Sequence, residues 1–445
     1  MISLASFRPL RLFAALLAEA ILLSSLRFFD DWTLESMPVK FVATAIGCGI
    51  AYLVAVTNFP VVASRRGRLI IFWSVTIGLR LLAIPLEPGD DLWRYEWEGK
   101  IQQTGFNPYV FPPDAPELEP LRDTFPAWLR INHRDFSAIY PPGAELTFRA
   151  TSALSENPLL YKFLFGAADI GVVALLLRLV GRDRSYTDAA WYAWNPLVIY
   201  SFAGAAHFDS LMLLPMVAGL LLLTRFEVAT TASRKWLLAT GLAVAFGLAI
   251  SMKLVPILLL PLCVAALGLR AITLVISLAI PAAMSLIYGF PKVDILSSLG
   301  RFAHVTRLND LFWWIVEDTV WLNPRQKNYH YNVILIVTVI AVSLLFYRNW
   351  RRGMLWVFGI TLILSPVLHP WYCTWILPLA AWRRSDAWQI LSVTLFAYYL
   401  FWNERLFALP WHAEPWMRAI IISPPLAAAV LMAWSKRRVS NSQLA

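Results

Sequence analysis

Charge is scarce in this 445-residue chain: Asp, Glu, Lys and Arg make up 15% of it, where an ordinary soluble domain carries about 25%. With 59% hydrophobic residues and a mean hydropathy of +0.60, that shortage excludes a soluble globular domain. Cysteine is almost missing too. Cys48, Cys263 and Cys373 stand in or beside apolar runs without metal-ligand spacing, so they say little about redox compartment. No internal repeat, low-complexity tract or separate soluble domain interrupts the sequence. The net charge of +10 does not indicate nucleic acid, because the basic residues fall in short clusters between apolar runs, which is the pattern of membrane topology.

What the chain does have is a long series of apolar runs. Against the roughly 20 residues that a transmembrane helix needs, candidate spans fall near 10–29, 39–60, 69–86, 159–179, 187–205, 208–224, 236–251, 254–269, 271–289, 332–347, 353–368, 372–382, 386–402 and 416–434. The expected fold is an all-α polytopic membrane protein with about 11 to 14 spans. The first run has Arg8 and Arg11 at its start, as a secretory signal would, but it contains Glu19 and lacks a small-residue cleavage site. It reads as the first transmembrane helix.

Lys and Arg in short loops stay cytoplasmic. Arg65-Arg66-Gly67-Arg68, Arg182-Asp183-Arg184, Arg234-Lys235, Arg348 with Arg351-Arg352, Arg383-Arg384 and Lys436-Arg437-Arg438 all fall on one side under this count. Both termini are then cytoplasmic in a multi-pass cell-membrane protein. The same assignment sends His133, His207, His304, His330, His369, His412 and most acidic residues to the other face. The chain reads as one membrane domain, 1–445, with two long extracytoplasmic segments at 87–158 and 290–331. In the first, Trp93, Trp97 and Ile101 recur four apart opposite Arg94, Glu98 and Gln102, which predicts a helix lying at the membrane interface. A second surface helix is expected around Pro126 to Ile131.

Several residues stand where chemistry is possible. Asp90 and Asp91 follow an apolar run. A helix N-cap explains one carboxylate but not two, so a functional reading is favoured, with desolvation and mutual repulsion raising one carboxyl's pKa. Lys253, in Ser251-Met252-Lys253-Leu254-Val255-Pro256, fits equally a snorkelling interfacial lysine and a cation for a lipid phosphate. His207 and Asp209 make a His-x-Asp pair without a third ligand nearby in sequence, which favours substrate hydrogen bonding or structural anchoring over a metal. His369-Pro370-Trp371-Tyr372 reads evenly as an aromatic anchor or a substrate contact. Arg80 and Asp169 sit at similar depth inside predicted spans and either pair or face separate polar cavities. No metal or other cofactor is expected.

With these residues in view the chain resembles the GT-C superfamily of membrane glycosyltransferases, and within it the bacterial polyprenyl-phosphate-mannose-dependent branch. The likeness rests on Asp91-Leu92-Trp93-Arg94-Tyr95 with Trp97-Glu98-Gly99, Gly105-Phe106-Asn107-Pro108-Tyr109, Ile139-Tyr140-Pro141-Pro142, Lys253-Leu254-Val255-Pro256 and His369-Pro370-Trp371-Tyr372. It implies Asp91 as catalytic base, supported by Asp90, and a donor phosphate held by Lys253 and Arg94. Tyr95, Glu98, Tyr140, His207, Asp209, His369, Trp371 and Tyr372 are the further substrate-binding candidates. Glu98 stands where Asp is as common in the family, which leaves its role open. The implied reaction moves a hexose, mannose by the resemblance, with inversion, from a polyprenyl monophosphate carrier to a lipid or glycan acceptor of the cell envelope. The rival classes are a transporter or lipid flippase, against which stand the missing repeat and the one-sided polar residues, and a non-catalytic assembly partner.

Overall fold

The structure, a computed structural model, describes residues 7–29, 31, 34, 36–62, 64–181, 185–319, 327–401 and 415–442. Among these residues every regular element is helical, and the sole extended pairing is a parallel bridge between Leu308 and Val367. Among the described residues seven helical segments are long and apolar enough to cross a membrane: Arg8–Phe28, Met37–Asn58, Pro158–Val180, Asp209–Val228, Ala232–Met252, Val255–Tyr288 and Trp416–Trp434. The chain is an all-α polytopic membrane protein. The predicted Arg182-Asp183-Arg184 cluster, His412 and residues 320–326 of the second long segment lie outside the described residues, as do the side chains of Lys436-Arg437-Arg438.

The helices that build the site are α1 (Arg8–Ser25), α2 (Met37–Asn58), α3 (Arg65–Ala83), α4 (Asp90–Gln103), α5 (Pro142–Leu154), α6 (Pro158–Val180), α7 (Ser185–Ala193), α8 (Asp209–Val228) and α9 (Ala232–Met252). α1 shows how an apolar sequence divides its faces. Leu12, Ala15, Glu19 and Leu23 point inward while Leu10, Phe13, Leu17 and Ile21 are exposed. Both rows step by three or four residues, as a 3.6-residue period requires. Both rows are almost wholly apolar because one packs on protein and the other faces hydrocarbon. Helix ends follow local chemistry. Asn157 accepts from Leu159 N ahead of Pro158, and α6 stops at Gly181, whose φ of 94° suits glycine.

α8 packs against both α6 and α9. α9 begins beside Arg234-Lys235 and ends at Lys253, about 30 Å away for a helix of that length. At its starting end Lys235 lies over Phe226, Arg351 pairs with Glu227, and Arg383 feels the charges of Arg351 and Arg352. Three of the predicted basic clusters therefore share one end of the bundle. Lys253 stands at the other.

Val255–Tyr288 is continuous helix in sequence but a hairpin in space. A 3-10 turn covers Gly268–Leu274, opening on Gly268 with φ 57°. Arg270 at that turn lies over Phe226 and Trp236, at the basic end. Tyr288 returns to the other end, where its hydroxyl donates to Gln102 Oε1 at 2.9 Å. The two spans expected at 254–269 and 271–289 are its legs. The short runs 187–205, 372–382 and 386–402 are instead broken. The Asn195 side chain caps a fresh start at Pro196, one π turn covers Tyr200–Gly204, and 3-10 turns cover Pro370–Trp375 and Leu395–Phe401. All of Leu395–Phe401 is buried, so that run is apolar because it is interior.

Arg80 on α3 and Asp169 on α6 pair at 2.6 Å, both buried. Tyr192 donates to the other Asp169 oxygen at 2.7 Å, and Arg80 Nη1 reaches the carbonyls of Thr76 and Ala193 at 2.8 Å each. The pair thus joins α3, α6 and α7. Removing one member of a buried pair typically costs about 3–5 kcal/mol, whereas apolar replacement of both is often neutral. Thermal melting in detergent should show Asp169→Ala strongly destabilised and Arg80→Met/Asp169→Leu largely restored.

Candidate active site

α4 is the organising element, and it is not an interfacial helix. Leu92 through Gly99, Ile101 and Gln102 are all buried, because the 104–141 segment folds back over it. Trp93, Trp97 and Ile101 pack against Ala115, Leu118, Phe125 and Ile131 of that segment, while Arg94, Glu98 and Gln102 face buried polar partners. The expected surface helix near Pro126 to Ile131 is a single 3-10 turn, Trp128–Arg130. The capping expectation also changes. Gly89 is the N-cap, and Asp90 and Asp91 are the first two helical residues, where negative charge suits the helix dipole. Glycine leaves room at 89, since a Cβ there would lie 3.3 Å from the Ala205 carbonyl and 3.4 Å from the His207 ring and would press both back by a few tenths of an ångström. Its N–H donates to that same carbonyl at 2.9 Å.

The loops bearing Asp91, His207, Lys253 and His369 converge on one cavity of about 970 Å³. Every site residue proposed from sequence lines it except Glu98 and Asp209, which sit behind its wall. Asp91 accepts from Asn132 Nδ2 at 2.8 Å, has His207 Nδ1 at 3.4 Å and Tyr95 Oη at 3.5 Å, and is 17% exposed. Burial pushes its carboxyl up. The hydrogen bond and charge of His207, the electrostatic pull of His369 once it too takes up a proton at low pH, and the Asn132 hydrogen bond outweigh that and hold it well below the usual carboxylate range. This reverses the expected raised pKa: the neighbours that act are His207, His369 and Asn132, all distant in sequence.

Trp371 is sandwiched between two imidazoles, with His207 at 3.7 Å and His369 at 4.3 Å between ring centres and both nearly parallel to it. His369 Nδ1 meets the Tyr398 hydroxyl at 3.0 Å. On the opposite flank, Lys253 Nζ lies 2.6 Å from Asp209 Oδ1, which also accepts from Trp375 Nε1 at 2.6 Å. The ammonium rests among the rings of Phe208, Tyr372 and Trp375 at about 5 Å. Tyr140 packs on Tyr95 and Phe208, and Tyr95 stacks on Phe148. Arg94 is turned away, its N–H groups spent on Glu98 and on backbone carbonyls. Glu98 is buried with it beside Glu145. Among the described residues no group of three or more His, Cys, Asp or Glu side chains is placed to share an ion.

Asn132, Glu145, Trp375 and Tyr398 escaped the sequence reading. Trp375 had a signal, the aromatic density that follows His369; the others lie in stretches without any distinguishing pattern. Strain marks the site as well. Of the four non-glycine residues with positive φ among those described, His133 at 44°, Ala206 at 60° and Asn309 at 51° adjoin the cavity or its wall.

The family model described as alpha-(1->6)-mannopyranosyltransferase, N-terminal domain, matches residues 13–269, more than half of the chain. The chain belongs to this family. The match takes in α4, the His207 turn and Lys253, so three of the four converging loops fall inside the family's own domain, and the His369 loop follows it. Membership brings mannosyl transfer, with a sugar donor and an acceptor to be held. No curated protein and no solved structure matches the chain at a significant level.

Burial holds the His369 imidazole down to about 3, against the pull of Asp91 and with help from His207, Lys253 and His133. Folded, it stays neutral where the unfolded chain would take up a proton near the ordinary value of 6.5. Stability is therefore full above pH 6.5 and falls as the pH drops toward 3, and Asp91, with its depressed pKa, adds a loss of the same sign at the acid end. Melting curves should slide downward on acidification from pH 6.5, and His369→Gln should flatten the part between 6.5 and about 4.

Proposed function

We propose that the chain transfers a mannosyl group, with inversion, from a polyprenyl monophosphate carrier to a hydroxyl of a lipid or glycan acceptor at the extracytoplasmic face of the cell membrane. The observation that carries the reading is the convergence of Asp91, His207, Lys253 and His369, from four separate parts of a mannosyltransferase-family chain, on one cavity. Placement at the outer face rests on the basic clusters gathered at the opposite end of α8 and α9. Both termini are then cytoplasmic.

In this reading Asp91 takes the proton of the acceptor hydroxyl as its oxygen attacks the anomeric carbon. The bond from that carbon to the phosphate oxygen breaks, and its electron pair leaves on the polyprenyl phosphate. Attack from the face opposite the phosphate inverts the configuration. A carboxylate held well below its usual range is ionised at every physiological pH. It accepts the proton late, as the hydroxyl acidifies on bonding to carbon. Asp90 supports the negative end of the site beside it. Lys253 has N–H groups beyond the one given to Asp209 and is 16% exposed, which suits it to the developing phosphate charge. Tyr372 and Trp371 supply apolar and aromatic surface for the sugar. Arg94 has no N–H to offer a phosphate.

Purified protein incubated with radiolabelled polyprenyl-phosphate mannose and a membrane lipid extract should give a new labelled product. No product with any polyprenyl-phosphate sugar, together with lipid movement in liposomes, would instead point to a flippase. Asp91→Asn should lower the rate by about 100-fold to 10,000-fold while donor still binds, and Asp90→Asn should do less. Reversed effects would move the base to Asp90. The donor carries a single phosphate within reach of Lys253, so activity should survive EDTA. Loss with EDTA and recovery with manganese would recast Asp91 and His207 as ligands.

A further inference from the structure

The segment 132–137 carries Asn132 to the carboxylate of Asp91, yet it has almost no structure of its own. It contains no helix or strand, and its one internal backbone hydrogen bond is Phe136 N to His133 O at 3.0 Å. His133 within it stands at φ 44°, a conformation that an L side chain keeps only when the surroundings enforce it. From outside, Asp114 N donates to Arg134 O at 3.0 Å, Ser298 meets Ser137 at 2.6 Å and Arg301 pairs with Asp135; the buried side that carries His133 and Asn132 is held by Arg94, which is 2% exposed. Its Nη1 donates to the carbonyls of His133 at 3.0 Å and Asn132 at 3.4 Å, its Nη2 to those of Phe136 at 2.7 Å and Ser137 at 2.9 Å, and its Nε to Glu98 Oε1 at 2.8 Å. A guanidinium has five N–H donors in a fixed planar fork, and here every one has a partner within the protein.

Glu98 is itself tied in from behind. It is buried beside Glu145, and burial raises both carboxyls while the charge of Arg94 pulls them down. Gln102 donates to Glu145 Oε2 at 3.1 Å. The stripe 94, 98, 102 along α4 is thus an internal lock facing a loop some 40 residues further on.

We propose that Arg94 is a positioning residue that grips 132–137 so that Asn132 orients the carboxylate of Asp91, and that it does not bind the donor phosphate. The proposal rests on the reading of Asp91 as base. A planar fork is needed for four carbonyls at once, and a lysine cannot replace it. Loosening the grip frees Asn132, and a small misplacement of a catalytic group costs on the order of 100-fold in rate.

The test compares Arg94→Lys, Asn132→Ala and the double variant of the full-length protein, with radiolabelled polyprenyl-phosphate mannose as donor. Both single variants should lower kcat by about 10-fold to 100-fold with the donor KM unchanged. The double variant should be no slower than Arg94→Lys. Rates are expressed per donor-binding site, counted with the same radiolabelled donor, so that simple loss of folded protein leaves them unmoved. A raised donor KM with kcat intact in Arg94→Lys, or additive losses in the double variant, would overturn the proposal. Should Arg94→Lys fail to accumulate, Glu98→Gln, which slackens the hold on Nε, carries the same expectation. Asp91→Asn run alongside separates the two readings. If it keeps activity, the base assignment and this inference both fall; if it is inactive while the cycle is additive, only this inference does.

Discussion

The wall of the cavity hangs on the contact between Lys253 and Asp209. Asp209 begins α8, Lys253 ends α9, and Trp375 closes the turn after His369, so one carboxylate oxygen with donors at 2.6 Å from two sides holds three elements together. A carboxylate that is 0% exposed is tolerable in an apolar bundle only if it is answered in this way. The same requirement recurs at Arg80 with Asp169 and at Arg94 with Glu98. In these three pairs each charge is answered on another element or one turn away, and the partners fix where the helices stop relative to each other. The cavity is the space left over where those stops coincide.

The bundle was largely legible in the sequence. Apolar runs of about 20 residues are set by the thickness of the hydrocarbon layer, so Met37–Asn58, Pro158–Val180 and Asp209–Val228 fall within a few residues of where hydropathy put them. Even the hairpin between Val255 and Tyr288 was readable, as the two apolar runs 254–269 and 271–289. The convergence of four distant loops was legible too, because charge asymmetry assigns each loop an end of the bundle.

What the sequence withheld were relations between stretches far apart. The amphipathic period of α4 is real, but periodicity does not say whether a polar face meets water or a buried loop; only the return of 104–141 decides that. Arg94 looked like a free cation because its partners are backbone carbonyls, which have no letter in the sequence. The direction of the Asp91 shift was misjudged for a related reason. Its local neighbour Asp90 would raise it, while His207, His369 and Asn132 lower it, and none of the three is near in the chain. The positive φ of His133 is likewise held from outside, by the Arg94 hydrogen bond to its carbonyl.

The hairpin from Val255 to Tyr288 bears on the lipid around the protein. Each leg, mixed 3-10 and α, rises about 20 Å, well short of the roughly 30 Å hydrocarbon core. Its outer surface is greasy throughout: Leu269, Ile272, Val275, Leu278, Leu286 and Ile287 are all exposed. A belt that short is answered by a thinner bilayer, by flanking residues that snorkel or by a second apolar surface laid against it, each at a modest cost per ångström of mismatch. Lys253 stands where one leg begins, so whichever answer the bilayer takes is given beside the cavity.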